Sequence, residues 1–360
     1  MVERQTPSNT RYTRRKHTVK KMSRLAFNKL VLILHFLSIV QKGRSEEAKT
    51  PNILLIVMDD VGTGDVAGYW NNSGLVSMPN LEERIIKEGV VFNDVHATPL
   101  CSPSRYLLLS GQYPHRGFRY AGTWKLNYKS SQFRDGQQSI ADVLRESDKN
   151  YHTAMMGKWH IGAKAPTKGW FSPPPNSIHI ESSTVLMDKQ FNWTETLHGG
   201  AQDIGFDSSL ISTGGIQEGP YSFFRDGKVQ GLSNTTIWRT GSYQMPRGTS
   251  MIPSEGDGAS DWDSTAYNMI IVNETARFLD DHELNRKDDP FFAYVALGAV
   301  HIPHSPPVSF LDGSPVAGEY PSGQMDMIGE IDKVVGSLVQ ELEDRKLLND
   351  TIIVFTSDNG

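Results

Sequence analysis

Residues 51–60 read PNILLIVMDD, and they are the clearest indication of the fold class. Its apolar residues run without alternation, as in a strand that is buried on both faces, and two acids follow directly. Further strands are predicted at 151–156, 291–297 and 351–355, with helices at 80–88, 139–147, 264–280 and 325–348. Strands that alternate with helices favour an α/β fold with a mostly parallel central sheet flanked by helices.

Polar side chains follow four of the predicted strands. They are Asp59-Asp60, Lys158 with His160, His301, and Asp358-Asn359. Because ligands bind beyond the carboxyl ends of strands in open α/β sheets, we expect these side chains to converge on one site. Three carboxylates and an amide oxygen suit Ca²⁺ or Mg²⁺, and without a cation the carboxylates would repel one another. Either acidic pair alone is more typical of a turn, but their matching positions at strand ends favour a metal site.

The charge of the chain is divided between a basic leader and an acidic body. The 360 residues carry a net charge of −5, yet residues 1–45 hold 11 Lys and Arg residues against one acid, Glu3. The remaining residues are therefore strongly acidic, which argues against binding to nucleic acid. A polyanionic substrate would need a local basic patch, for which the candidates are Lys158, Arg105, Lys164 and Lys168.

The leader has the character of a secretory signal. Residues 25–40, LAFNKLVLILHFLSIV, are apolar but shorter than the roughly 20 residues of a comfortable membrane span. We predict a cleaved signal peptide within residues 1–46; the alternative is an uncleaved anchor, which would be the only contact with a membrane. A start at Met22 would give a more typical signal length than a start at Met1. Five N-x-[ST] sequons predict a glycoprotein that is secreted or lysosomal: Asn71, Asn192, Asn234, Asn273 and Asn349.

Cys101 is the only cysteine of the sequence, which excludes an intramolecular disulfide and a cysteine-based zinc cluster. A lone cysteine is most often a small buried hydrophobic residue. Its context here is polar, because it opens the segment Cys101-Ser-Pro-Ser-Arg105. A helix that begins near Pro103 would put Arg105 one turn beyond Cys101, where the guanidinium can stabilise an anion.

This segment, with Leu109-Ser-Gly111 behind it, resembles the C-x-P-S-R signature of the type I sulfatases, which belong to the alkaline-phosphatase superfamily. Gly157-Lys-Trp-His160 resembles their second signature, and PNILLIVMDD, VHIPH and the terminal SDNG match in the expected order. The resemblance implies a sulfatase N-terminal catalytic domain over residues 50–360, with a long insertion at about 163–260. Asn150 stands where the second signature usually opens with Gly, and since Asn tolerates a left-handed backbone, we expect that turn to survive.

The resemblance implies a sulfuric ester hydrolase of the arylsulfatase type. In such enzymes a formylglycine-generating enzyme oxidises the signature cysteine, which here is Cys101, and the hydrated aldehyde attacks sulfur. The resemblance also implies that Ca²⁺ or Mg²⁺ is bound by Asp59, Asp60, Asp358 and Asn359 together with residue 101. The substrate would be a sulfated small molecule or carbohydrate.

Four basic residues receive roles from the same resemblance. Arg105 would stabilise the hydrated aldehyde, and Lys158 would hold a sulfate oxygen. His160 would take a proton from a hydroxyl of the nucleophile, as a base that titrates near neutral pH can. His301 would protonate the leaving alcohol or hold sulfate; it is preferred over His304 because it directly follows a predicted strand.

Two alternatives stay open. A phosphodiesterase or phosphatase of the same superfamily usually has Thr or Ser as its nucleophile, so Cys101 weighs against that class. A truncated, non-catalytic protein that binds sulfate esters is the other. Sulfatases usually continue past SDNG with a further sulfate-binding lysine and a C-terminal subdomain, whereas this sequence stops at Gly360. We therefore expect the sequence to be a fragment of a longer protein.

Overall fold

The computed structural model describes residues 49–66, 75–118, 122–127, 131–164, 192, 194–231, 258–259 and 261–360. The predicted signal peptide, Lys168, and the sequons at Asn71 and Asn234 lie outside these residues. Among the described residues, no helix has both the length and the apolar character needed to cross a bilayer.

The described residues form two sheets and five α-helices. The strands are β1 Asn52–Met58, β2 Trp124–Asn127, β3 His152–Lys158, β4 Ile161–Lys164, β5 Ser208–Ser212, β6 Phe224–Arg225, β7 Lys228–Val229, β8 Phe291–Ala296 and β9 Thr351–Ser357. The helices are α1 Pro79–Leu81, α2 Cys101–Ser110, α3 Ile140–Arg145, α4 Tyr267–Asn285 and α5 Gly323–Asp344. Short 3₁₀ segments lie at Pro114–Arg116, Ala201–Ile204, Ser264–Ala266 and Leu348–Asp350.

The larger sheet has seven strands in the order β7-β6-β5-β3-β8-β1-β9. The five strands from β5 to β9 in this order are parallel, and β6 and β7 are antiparallel additions at one edge. A parallel pair of β2 and β4 forms the second sheet. This is the mostly parallel α/β fold that the alternation of strands and helices predicts.

The sheet is covered on both faces, as the unbroken apolar run of β1 predicts. Because successive side chains of a strand point to opposite faces, Leu54 and Ile56 pack into one cluster while Leu55 and Val57 pack into another. Helices α4 and α5 contribute to the first cluster, and α2 and α3 contribute to the second. All seven residues of β1 are buried, so the acids that follow it are held on a rigid support.

Two helix starts differ from the sequence interpretation. Helix 80–88 is a three-residue α-helix followed by a π-helix at Glu82–Ile86, and the side chain of Asn80 does not cap it. The amide of Asn80 instead donates to Oδ2 of Asp332 at 2.9 Å, since that carboxylate lies across the interface with α5. The helix predicted from residue 264 opens with the 3₁₀ segment Ser264–Ala266, whose cap is Asp263: its carboxylate accepts from the backbone of Thr265.

Strand β5 lies inside the range interpreted as an insertion, and it pairs in parallel with β3. Its sequence, SSLIS, has only two large apolar residues, so the apolar run that marks β1 is missing from it. The 163–260 range thus supplies a strand to the central sheet as well as loops. Before β3, Asn150 has a φ of 50°, which confirms the left-handed turn expected of an asparagine in place of glycine.

Candidate active site

The carboxyl ends of β1, β3, β8 and β9 meet at one edge of the sheet, because these strands are parallel neighbours. Met58 pairs with Ser357, so Asp59 and Asp358 follow adjacent strand ends. The backbone amide of Asp358 donates to the carbonyl of Met58 at 3.2 Å, and that of Asp59 donates to the carbonyl of Ala299 at 2.9 Å. The convergence expected from the strand ends is therefore observed.

The acidic residues and the cysteine form one compact group. Asp59, Cys101 and Asp358 are buried, and their possible ligand atoms all lie within 4.8 Å of one another. Asp60, in a left-handed conformation with φ of 60°, donates its backbone N–H to Oδ1 of Asp358 at 3.3 Å. Asn359 donates its amide to Oδ1 of Asp60 at 2.5 Å. All five residues predicted as metal ligands thus lie together.

Two oxygens of this group are buried without a hydrogen-bond donor among the described residues: Oδ1 of Asp59 and Oδ1 of Asn359. A buried oxygen that accepts no hydrogen bond costs free energy unless something else compensates it. Carboxylate and amide oxygens are the ligands that hard divalent cations prefer. The residues present therefore fit Ca²⁺ or Mg²⁺.

Two buried basic residues face the acids. Lys158 Nζ donates to Asp59 Oδ2 at 2.6 Å, and Arg105 Nε donates to Asp358 Oδ2 at 2.7 Å. Burial raises the pKa of Asp59, but the charges of Lys158 and Arg105 outweigh burial and hold that pKa below its usual value. Burial raises the pKa of Asp358 to about 6, with Arg105 opposing the shift. These four buried residues therefore form a network of opposite charges.

Cys101 is the first residue of α2, and its Sγ lies 3.1 Å from Nδ1 of His160. Burial raises the pKa of the Cys101 thiol above its usual value. Burial and then the charge of Lys158 lower the pKa of His160, so its ring is neutral at pH 7. His160 follows β3 in a left-handed conformation with φ of 48°, which turns its side chain towards residue 101.

His301 lies at the rim of the group. Its Nδ1 donates to the carbonyl of Ile302 at 2.7 Å, and its Nε2 lies 3.4 Å from Oδ2 of Asp60. A carbonyl oxygen only accepts, so Nδ1 carries a hydrogen and Nε2 is the nitrogen free to exchange a proton. Burial, followed by Lys158, lowers the pKa of His301.

The loop that follows β5 brings two residues that sequence reasoning missed. Gln217 Oε1 accepts from Lys158 Nζ at 2.8 Å, and Glu218 Oε1 lies 3.4 Å from His160 Nε2. β5 ends beside β3, so its loop reaches the same edge as the other strand ends. In the sequence, only the Gly214-Gly215 pair indicates a turn at this position.

The sulfatase family profile matches residues 51–360. An N-acetylgalactosamine-6-O-sulfatase of Bacteroides thetaiotaomicron is 30% identical over 352 residues, covering 89% of this chain and 61% of that protein. Human arylsulfatase A is 29% identical over 315 residues, covering 87% of this chain and 52% of that protein. The chain thus spans about half to three-fifths of the length of these relatives.

Solved structures give the same fold. One is a protein from the metabolism of multiple glycosaminoglycans by Bacteroides thetaiotaomicron. It superposes with a TM-score of 0.65 at 25% identity. That match covers 87% of this chain and 63% of the other. The PsFucS1 sulfatase from Pseudoalteromonas superposes with a TM-score of 0.56 at 19% identity, covering 94% of this chain and 59% of the other.

Proposed function

The chain belongs to the sulfatase family, and from this membership we propose that it is part of a sulfuric ester hydrolase of the arylsulfatase type. One observation carries the proposal: Cys101 begins a helix within 4.8 Å of two buried aspartates from adjacent strand ends. A nucleophile beside a cation site is the arrangement that hydrolysis of an anionic ester needs, because the cation offsets the charge of the substrate.

We propose that Cys101 is converted to formylglycine by a formylglycine-generating enzyme. The unmodified thiol is poorly suited to attack, because burial raises its pKa and keeps it protonated near neutral pH. The hydrated aldehyde of formylglycine would supply a hydroxyl nucleophile for sulfur at this position.

The proposed metal ligands are Asp59, Asp60, Asp358 and Asn359, together with residue 101. Ca²⁺ or Mg²⁺ would polarise the sulfate ester and lower the pKa of the hydroxyl nucleophile. The buried Oδ1 atoms of Asp59 and Asn359, which accept no hydrogen bond from the described residues, support this assignment.

The basic residues would divide the remaining work. Arg105 and Lys158 would hold negative charge, since both are buried and both donate to acids of the site. His160 would accept a proton at Nδ1 from a hydroxyl of residue 101, a role its 3.1 Å contact with Sγ supports. His301 would protonate the leaving oxygen from Nε2 after taking up a second proton at that nitrogen, or it would hold sulfate.

We further propose that the substrate is a sulfated carbohydrate or a sulfated small molecule. Relatives named N-acetylgalactosamine-6-sulfatases support the carbohydrate class. We also propose the secretory route, with a cleaved signal within residues 1–46 and a secreted or lysosomal product. Asn273 and Asn349 are exposed, which suits glycosylation at these sequons. Residues 50–360 would form the N-terminal catalytic domain.

The test is made on the full protein secreted from a eukaryotic host. Mass spectrometry of the tryptic peptide with residue 101 should find formylglycine, and the protein should hydrolyse 4-nitrocatechol sulfate. Cys101→Ala should abolish that hydrolysis. Unmodified cysteine throughout, or hydrolysis of an aryl phosphodiester in preference to the sulfate, would overturn the proposal.

A further inference from the structure

The loop from Thr213 to Glu218 packs closely on itself and against Lys158, the last residue of β3. A Cβ on Gly214 would lie 2.2 Å from Cγ of Glu218, and one on Gly215 would lie 2.9 Å from Cδ of Lys158. Gly215 also has a φ of 71°, which side chains rarely adopt. The backbone of the loop can reach the site because both positions lack a side chain.

The same loop anchors β3 through its backbone. The amide of His160 donates to the carbonyl of Thr213 at 3.1 Å, and that of Trp159 donates to Ser212 at 2.9 Å. The backbone of His160 is therefore held, but its ring can still rotate or change tautomer unless a side chain holds it. Glu218, which is 2% exposed, is placed to do so.

The two ring nitrogens of His160 face different partners. Nδ1 lies 3.1 Å from Sγ of Cys101, and Nε2 lies 3.4 Å from Oε1 of Glu218. A carboxylate only accepts hydrogen bonds, so it favours the tautomer that carries its hydrogen on Nε2. That tautomer leaves the lone pair of Nδ1 directed at residue 101, where a base is needed.

We propose that Glu218 is the positioning residue of His160, which fixes its tautomer and its orientation towards residue 101. The inference rests on the proposed function, because it assigns His160 as the base that acts on residue 101. Glu218 faces Nε2 of His160 while residue 101 faces Nδ1, so the effect of Glu218 on residue 101 would pass through the imidazole. Gln217, the preceding residue of the loop, has a different partner: it accepts from Lys158, the residue proposed to hold a sulfate oxygen.

The first test compares Glu218→Gln with the wild type in the full secreted protein. Gln has nearly the same shape, so the loop should keep its fold while the charge that orders the tautomer is lost. We expect kcat for 4-nitrocatechol sulfate to fall by about 10- to 100-fold. KM and the inhibition constant of inorganic sulfate should stay within about twofold, because Lys158 is untouched. Glu319→Gln, an exposed glutamate far along the chain, is the matched control and should leave kcat unchanged.

The second test is a double-mutant cycle with His160→Ala. If Glu218 acts only through the imidazole, Glu218→Gln should lower kcat in the wild type but change it by less than about twofold in His160→Ala. A glutamate that merely supports the fold would instead lower kcat by the same factor in both backgrounds.

The outcomes separate this inference from the proposed function. If Glu218→Gln has the same kcat as the wild type, or loses kcat and sulfate affinity in parallel, the positioning role is overturned. Neither result would contradict the proposed hydrolase activity. An inactive wild type with unmodified Cys101 would overturn the proposed function and this inference with it. Formylglycine content at residue 101 should be equal in all variants, which shows that modification is not the step affected.

Discussion

Arg105 and Asp358 form a buried ion pair that joins α2 to the end of β9, with Nε donating to Oδ2 at 2.7 Å. The two residues are 253 positions apart in the sequence. Burial would lower the pKa of Arg105, but Asp358 and Asp59 outweigh it and keep the guanidinium charged. One cation therefore serves two carboxylates, and it does so where water cannot replace it.

Arg105→Met should destabilise the protein by about 3–5 kcal/mol, because it leaves two buried carboxylates short of a partner. The change is measured as the free energy of unfolding in urea. Lys87→Ala is the control: Lys87 pairs with Glu83 on the surface, and such pairs contribute less than about 1 kcal/mol. Equal stability changes in the two variants would contradict the structural role of the buried pair.

Removal of divalent cations should lower the melting temperature and the activity together. The reason is that a chelator returns the carboxylates of the acidic group to mutual repulsion, which Arg105 and Lys158 offset only in part. Added Ca²⁺ or Mg²⁺ should restore both quantities, since a ligand of the folded state stabilises it by mass action. Asp358→Asn should weaken this response. A melting temperature that ignores both chelator and cation would argue against a metal here.

Glu330 predicts a pH dependence of stability away from the active site. It is 1% exposed on α5, and burial raises its pKa to about 8. A pKa raised above its unfolded value means that the folded state binds the proton more tightly. Stability from this group is therefore full at acid pH and is lost as pH rises through 8.

Glu330→Gln removes that titration, so its stability relative to the wild type should rise with pH. The gain should be on the order of a few kcal/mol at pH 8 and should shrink towards pH 5. Thermal melts of both proteins between pH 5 and 8 measure it. A difference in melting temperature that does not change with pH would show that Glu330 does not carry the shift.

Gly157→Ala should prevent folding. Gly157 lies in β3 with a φ of 104°, and a Cβ there would lie 1.8 Å from the carbonyl oxygen of Ala296 on the paired strand. Gly111→Ala is the matched control, because Gly111 also has a positive φ of 63° but nothing lies within 4 Å of its Cβ. The control should cost only about 1 kcal/mol. Secretion yield and melting temperature separate the two, and similar yields would contradict the clash.

The fold and much of the site were predictable because their signals are local. Apolar runs that end in acids mark β1 and β9, and the parallel arrangement of such strands brings Asp59 and Asp358 together. The N-terminus of α2 at Cys101 follows from the polar segment around Pro103. Each of these inferences depends on a few adjacent residues and on general rules of sheet topology.

The remainder depends on contacts between distant segments. The sequence of β5 is SSLIS, and its serines give no apolar pattern that would predict a strand of the central sheet. The contact between Glu218 and His160 depends on the pairing of β5 with β3, so it could not be predicted from the residues around Glu218. Asn80 resembles a helix cap locally, but a carboxylate on α5 competes for its amide. The assignment of roles to the site residues stays a prediction until the experiments above are done.

The first and last strands of the described residues, β1 and β9, are neighbours, and Asp60 and Asn359 are in contact across 299 positions of sequence. An ion held by residues from both strands would act as a cross-link that closes nearly the whole described chain into one loop. Closing so long a loop restricts the unfolded chain strongly, which is how a disulfide stabilises a protein. In a sequence whose single cysteine is the proposed source of the nucleophile, the proposed cation would take the place of that bond.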